Sequence, residues 1–226
     1  MTICADDCTT TFVPLNGNTI PSVRMPAQPE SMLSSLILNP SSLIPHPSML
    51  TLIGYRGTGK STVGMRLARR LKWDWLDADN ELERRAGRTI KEIFATDGEP
   101  TFRQLEREVL VDLLSRQRLV LSTGGGCVLN AETRRDLCAA GPVVWLRASV
   151  ETIASRILQD RTTKSRRPNL TATGGIDEIQ TLLAQREPLY HECATITIDT
   201  EGLSLNEVVK QVLSQLPTDL TGEART

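Results

Sequence analysis

The stretch LIGYRGTGKST, residues 52 to 62, restricts the possible folds of this chain more than any other. Gly54, Gly59, Lys60 and Ser61 spell GxxxxGK[ST], with a further glycine at Gly57. Apolar MLTLI (49–53) precedes the motif, and Val63, Leu67 and Leu71 follow it at helical spacing with basic residues opposite. In a strand–loop–helix setting, such glycines let backbone N–H groups converge on an anion, and the helix N-terminus adds about half a positive elementary charge. Lys60 then reaches the β- and γ-phosphates and Ser61 offers its hydroxyl to Mg²⁺. Gly54, Gly57, Thr58, Gly59, Lys60, Ser61 and Thr62 are therefore the candidate nucleotide-binding residues. A glycine-rich turn without a ligand is the competing reading.

The same alternation of apolar run and helical pattern recurs downstream. RLVLST (118–123), VVWLRA (143–148) and ATITID (194–199) read as strands, and WDWLDA (73–78) as a shorter one. Thr89 with Glu92, Thr101 with Gln104, and Ser204 with Glu207 have the spacing of capping boxes and predict three helix starts. Strands separated by helices imply right-handed crossovers and a parallel sheet covered on both faces. The expected fold is an α/β three-layer sandwich with a five-stranded parallel sheet, its ligands beyond the carboxyl ends of the strands. Segments 80–115, helical in pattern, and 159–175, rich in Thr, Arg and Gly, stand outside that core.

Composition bounds the remaining possibilities. The 226 residues are 39% hydrophobic and 23% charged, which suits one main globular domain. A net charge of −1 gives no global attraction to nucleic acid, and no apolar run reaches the roughly 18 residues of a membrane span. Cys4, Cys8, Cys127, Cys138 and Cys193 include no CxxC pair and read as reduced thiols of a cytoplasmic protein. Residues 1–48 are rich in Ser, Thr and Pro, with Arg24 as their one cation. They read as a disordered or artefactual extension, a targeting peptide, or the product of an upstream start codon ahead of Met49; Asp6 and Asp7 argue against secretion. Residues 49–216 form the expected domain and 217–226 a flexible tail.

Two acids mark where chemistry would occur. Asp77 and Asp79, in LDADNE, end the second strand, and their spacing of two points both carboxylates the same way if the strand continues. A strand-to-helix turn in which Asp79 caps the next helix is the alternative. No NKxD-type guanine signature follows, which argues against a GTPase.

Further on come GEPTFRQLE (98–106), STGGGCV (122–128), SRRPNL (165–170) and QREPLY (185–190). In this order, after GxxxxGKS and DxD, these motifs make the chain from about residue 49 to 216 closely resemble shikimate kinases, within the nucleoside-monophosphate-kinase-like branch of P-loop proteins. The resemblance implies transfer of the γ-phosphoryl group of ATP, with Mg²⁺, to the 3-hydroxyl of shikimate, on the route to chorismate and the aromatic amino acids. It makes Asp79 the group that holds the acceptor hydroxyl and takes its proton, and Asp77 a support for Mg²⁺ beside Ser61. Arg103 and Arg186 become the grip on the shikimate carboxylate, since planar guanidinium forks match planar carboxylates. Gly124, Gly125 and Gly126 would let substrate hydroxyls lie against backbone, and Glu106 would orient Arg103 from one helical turn away.

The same resemblance makes 159–175 a lid, with Gly174 and Gly175 as hinges and Arg167 as the arginine that closes on the phosphates. Arg161 lies near the family's adenine-stacking arginine, in a lid about one residue shorter than the pattern. Without the resemblance, Arg103 and Arg186 are also compatible with exposed helix positions, Gly124–Gly126 with a plain loop, and Arg166 and Arg167 with a solvated basic loop. Cys127, Trp73, Trp75 and Trp145 read as packing residues. A gluconate kinase would share the cradle without needing both carboxylate arginines, and a noncatalytic nucleotide-binding module would not need Lys60 and Asp79. A charge-mixed surface points to a monomer.

Overall fold

The computed structural model describes residues 49–159 and 175–221, within the unit Ile44–Thr226. The N-terminal extension and most of the expected lid, including Arg161, Arg166, Arg167 and Gly174, lie outside the described residues. Five strands form one sheet: β1 (Met49–Ile53), β2 (Asp74–Asp77), β3 (Leu119–Ser122), β4 (Val143–Arg147) and β5 (Ile196–Asp199). Their order is β2-β3-β1-β4-β5 and every pairing is parallel. This is the expected P-loop kinase sheet.

The helices are α1 (Lys60–Leu71), α2 (Ala78–Ala86), α3 (Ile90–Thr96), α4 (Gly98–Leu114), α5 (Ala131–Ala140), α6 (Val150–Gln159), α7 (Gly175–Cys193), α8 (Leu205–Gln215) and α9 (Thr218–Thr221). Successive side chains of a strand face opposite ways, so each central strand feeds two cores. Leu50, Leu52, Val120, Val144 and Leu146 meet Val63 and Leu67 of α1 and Val208 and Val212 of α8 on one face. Ile53, Leu121, Val143 and Trp145 meet Leu82, Ile93, Leu110, Leu137, Ile153 and Tyr190 on the other. Burial on both faces explains why β1 and β3 are buried at every position, whereas edge strand β5 alternates.

Strands β2 to β5 are shorter than their patterns suggested, whereas β1 matches its own. β3 begins after Arg118, whose φ of 55° lies outside the extended region. Capping boxes form at Thr89 with Glu92 and at Ser204 with Glu207. The third does not. Thr101 lies inside α4 and donates its hydroxyl to Asp97 O at 3.0 Å. The helix starts at Gly98 because Pro100 falls in its first turn, where a missing N–H costs no hydrogen bond. Nor does packed structure end at Leu216, since Leu220 of α9 is buried in the α8 core. Trp145 is buried, while Trp73 and Trp75 are half-buried against that same core.

Helix α2, which carries Asp79, is fastened by a charge clamp. Glu81 accepts from Arg84 Nε and Nη2 and from Arg85 Nε, each at 2.7 Å. The Arg84 and Arg85 hydrogen bonds hold the Glu81 carboxyl down at about 2, against an ordinary value of 4.5. With a folded pKa below the unfolded one, the stabilisation is complete above about pH 4.5 and is lost as pH falls toward 2. Glu81→Gln is expected to cost about 1 kcal/mol at pH 7, the scale of a charged hydrogen bond shared with solvent-exposed partners. Urea unfolding at pH 7 and pH 2.5 checks this: the gap between variant and wild type should shrink at the lower pH.

Candidate active site

The glycine loop between β1 and α1 wraps a compact pocket of backbone. Gly54, with φ 135°, backs so closely onto Leu146 O of β4 that no Cβ fits. Thr58 donates its hydroxyl to Tyr55 O at 2.8 Å, closing the loop on itself. Lys60, only 8% exposed, donates its ammonium to Gly54 O at 2.8 Å and Tyr55 O at 2.7 Å. The cation therefore lies along the cradle. Ser122 Oγ, at the end of β3, accepts from Trp75 Nε1 and donates to Lys60 O, tying the start of α1 to the neighbouring strands.

Ser61 donates to Asp77 Oδ2 at 2.7 Å, so the two residues expected near Mg²⁺ are hydrogen-bonded to each other. The two acids are not disposed as strand spacing suggested. β2 stops at Asp77, and the carboxylate of Asp77 caps α2 by accepting from Asp79 N and Asn80 N. Asp79, expected alternatively as the cap itself, sits in the first helical turn, where the helix dipole favours an anion. Hydroxyl and carboxylate oxygens suit Mg²⁺. Among the described residues no group of three or more His, Cys, Asp or Glu could cage a metal.

Beside the cradle lies a cleft lined by Tyr55, Arg56, Arg103, Glu106, Gly125, Gly126 and Arg186, with Ile90, Phe94 and Phe102 as its apolar wall. Three motifs far apart in the chain thus meet here: GExxFRxxE on α4, the triple glycine after β3, and RxPLY on α7. Arg103 donates Nη1 to Glu106 at 2.7 Å and Nε and Nη2 to Glu99 at 3.1 and 2.9 Å. Burial works against its charge, but Glu106 and Glu99 outweigh burial and raise its pKa above the ordinary guanidinium value. The contact between Glu106 and Arg103 that their spacing suggested is present. Arg186, 5% exposed, faces the Tyr55 ring at 5.7 Å. A larger hollow at the amino ends of the strands, around Met49, Pro142 and Ile196, is lined by none of the motif residues.

The glycine run has a tighter role than exposing backbone to a ligand. A Cβ on Gly126 would stand 2.5 Å from Arg103 Nη1 and 2.6 Å from Nη2, so the missing side chain is the space the guanidinium occupies. Tyr190 donates its hydroxyl to Gly125 O at 2.5 Å, fixing this loop from α7. Gly124 is buried in the same loop. Asp79 does not line the cleft and stands at the adjoining end of β2, whose Asp77 pairs in register with Ser122. Burial pushes the Cys127 thiol up to about 12, and Cys127 is packing, as its sequence setting suggested.

Sequence reasoning missed Tyr55, Arg56, Glu178 and Tyr190. Tyr55 and Arg56 occupy positions of the phosphate motif that its pattern leaves open, and Glu178 lies in α7 without any motif around it. Tyr190 was within RxPLY, but its role depends on the distant carbonyl of Gly125.

A family model described as shikimate kinase matches residues 56–217. The chain belongs to the shikimate kinase family. It is 38% identical over 174 residues to a shikimate kinase of Rhodopirellula baltica, spanning 77% of this chain and 93% of that protein. A Bordetella pertussis shikimate kinase is 40% identical over 177 residues, spanning 78% of this chain and 82% of that one. The solved shikimate kinase of Acinetobacter baumannii in complex with shikimate is 36% identical, covers 79% of this chain and 96% of its own, and superposes with a TM-score of 0.71.

The contact between Gly126 and Arg103 gives a direct test of the cleft. Gly126→Ala is expected to displace the guanidinium and raise the acceptor KM about tenfold, the scale of a misplaced charged contact, while leaving the ATP KM within twofold. Steady-state kinetics with each substrate varied in turn checks it.

Proposed function

We infer that this chain is an ATP-dependent shikimate kinase that forms shikimate 3-phosphate and ADP in the pathway to the aromatic amino acids. The observation that carries the reading is the convergence of Arg103, Arg186 and the triple-glycine loop on one cleft whose wall includes Tyr55 and Arg56 of the phosphate cradle. A planar monocarboxylate carrying several hydroxyls complements two guanidiniums, and each charged hydrogen bond contributes about 1.5–3 kcal/mol.

In this mechanism the backbone of Gly54, Gly57, Thr58 and Gly59 and the start of α1 at Lys60, Ser61 and Thr62 hold the polyphosphate. Lys60 moves from its carbonyl partners onto the phosphate oxygens. Arg103 and Arg186 fix the acceptor carboxylate, Gly124–Gly126 bound its ring, and Asp79 orients the 3-hydroxyl. A bond forms between that oxygen and the γ-phosphorus as the bond to the leaving ADP oxygen breaks, and the hydroxyl proton passes to the Asp79 carboxylate. Ser61 and Asp77 would hold Mg²⁺, which would neutralise charge on the phosphates when bound. Arg167 adds a further positive charge there. Burial and positioning provide most of the rate enhancement, because the protein takes no covalent part.

Among the described residues Cys127, Cys138 and Cys193 are free thiols, which supports a reducing cytoplasmic setting. Among these residues no helix is long and apolar enough to cross a membrane.

ADP release measured with shikimate, gluconate and other hydroxylated acids tests the reading: turnover is expected with shikimate alone. Lys60→Ala and Asp79→Ala should each lower kcat at least about a hundredfold with unchanged circular dichroism. Full activity of Asp79→Ala would remove the assigned proton transfer.

A further inference from the structure

Arg56 stands at a position that the phosphate motif leaves open, yet it is among the most constrained cations of the site. Its Nη2 donates to Glu178 Oε1 at 2.8 Å across 122 residues of sequence. The side chains are 15% and 0% exposed, so the pair is out of water. Glu178 lies in the first turn of α7, the helix that two turns later supplies Arg186 and then Tyr190. The Tyr55 ring is flanked by the Arg56 guanidinium at 5.9 Å and that of Arg186 at 5.7 Å. Among the described residues, neither the Tyr55 hydroxyl nor Arg56 Nε, both buried, has a partner that meets hydrogen-bond geometry, although Arg56 lies close enough to the phenol to favour its ionised form. Burial accordingly pushes the Tyr55 phenol above its ordinary pKa, although Arg56 and Arg186 pull the other way.

Glu178, Arg56, Tyr55 and Arg186 therefore connect α7 to the cradle at two levels, and all but Glu178 line the acceptor cleft. A buried ion pair contributes little stability relative to a packed apolar pair of the same volume, but it does fix a geometry. We propose that Arg56, held by Glu178, is a positioning residue that sets the separation between the phosphate cradle and the carboxylate grip on α7. Through it the acceptor hydroxyl is kept in line with the γ-phosphorus. This role rests on the shikimate kinase reading of the same cleft.

Four variants test it: Glu178→Gln, Arg56→Lys, Arg56→Met, and the double variant Arg56→Met with Glu178→Leu. Thermal unfolding and steady-state kinetics are measured on each full-length protein. Arg56→Met is expected to lower the melting temperature, because it removes a charged partner from a fully buried carboxylate. The double variant should recover most of that loss. Its kcat should nevertheless stay about tenfold or more below wild type, with a raised shikimate KM, since a misplacement of about 1 Å can cost up to a hundredfold in rate. Arg56→Lys keeps a cation for Glu178 and is expected to recover part of the lost kcat. Glu178→Gln should lower kcat in the same direction as the double variant.

A double variant with wild-type kcat and KM would reduce the pair to packing and overturn the proposal. So would an Arg56→Lys protein no better than Arg56→Met. Should Arg56→Met or Glu178→Gln fail to fold, the double variant and Arg56→Lys, each compared with wild type, decide the matter. The wild-type assay separates the two levels: a wild type inert toward shikimate removes the kinase reading and the positioning role together. An active wild type with unaffected variants removes only the latter.

Discussion

Everything in the site depends on holding several cations out of water at one end of a sheet. Lys60, Arg56, Arg103 and Arg186 are all largely buried there, and isolated they would repel one another and pay heavily for lost hydration. Two glutamates buried with them, Glu106 against Arg103 and Glu178 against Arg56, make the arrangement tolerable. Lys60 is held instead by the carbonyls of its own loop. These acids give the guanidiniums fixed directions, which is what recognition of a planar carboxylate requires.

The sheet explains how such a cluster can be assembled from distant segments. In a parallel sheet with crossover helices, all carboxyl ends of the strands lie on one side, so the loops that leave them are neighbours. The cradle leaves β1, the acids Asp77 and Asp79 leave β2, and the triple glycine leaves β3. Helices α4 and α7 bring their arginines to the same end, and the Tyr190–Gly125 hydrogen bond locks one of them to the glycine loop. The apolar runs of the central strands are buried on both faces and make this framework stiff.

Much of this was legible in the chain. The β1 strand, the cradle and α1 agree with their pattern, because alternation of apolar runs with amphipathic periodicity is a local signal. Local signals also misled. Thr101 has the spacing of a capping box, but Pro100 and Gly98 start the helix one turn earlier. Asp77 and Asp79 looked like strand neighbours facing one way, but a carboxylate that can accept two backbone N–H groups ends the strand at once.

The sequence alone determined the phosphate cradle and the alternation of strand and helix that makes a parallel α/β sheet, and its order of motifs carried the resemblance that pointed to Arg103 and Arg186 as acid-binding residues. The cradle and the alternation are recorded by local spacing and periodicity. Only the tertiary structure decided that Arg103 fills the space left by Gly126, that Tyr190 holds Gly125, and that Arg56 is paired with Glu178. Those contacts join residues tens to more than a hundred positions apart, and burial and ion pairing act through space, where no periodicity along the chain records them.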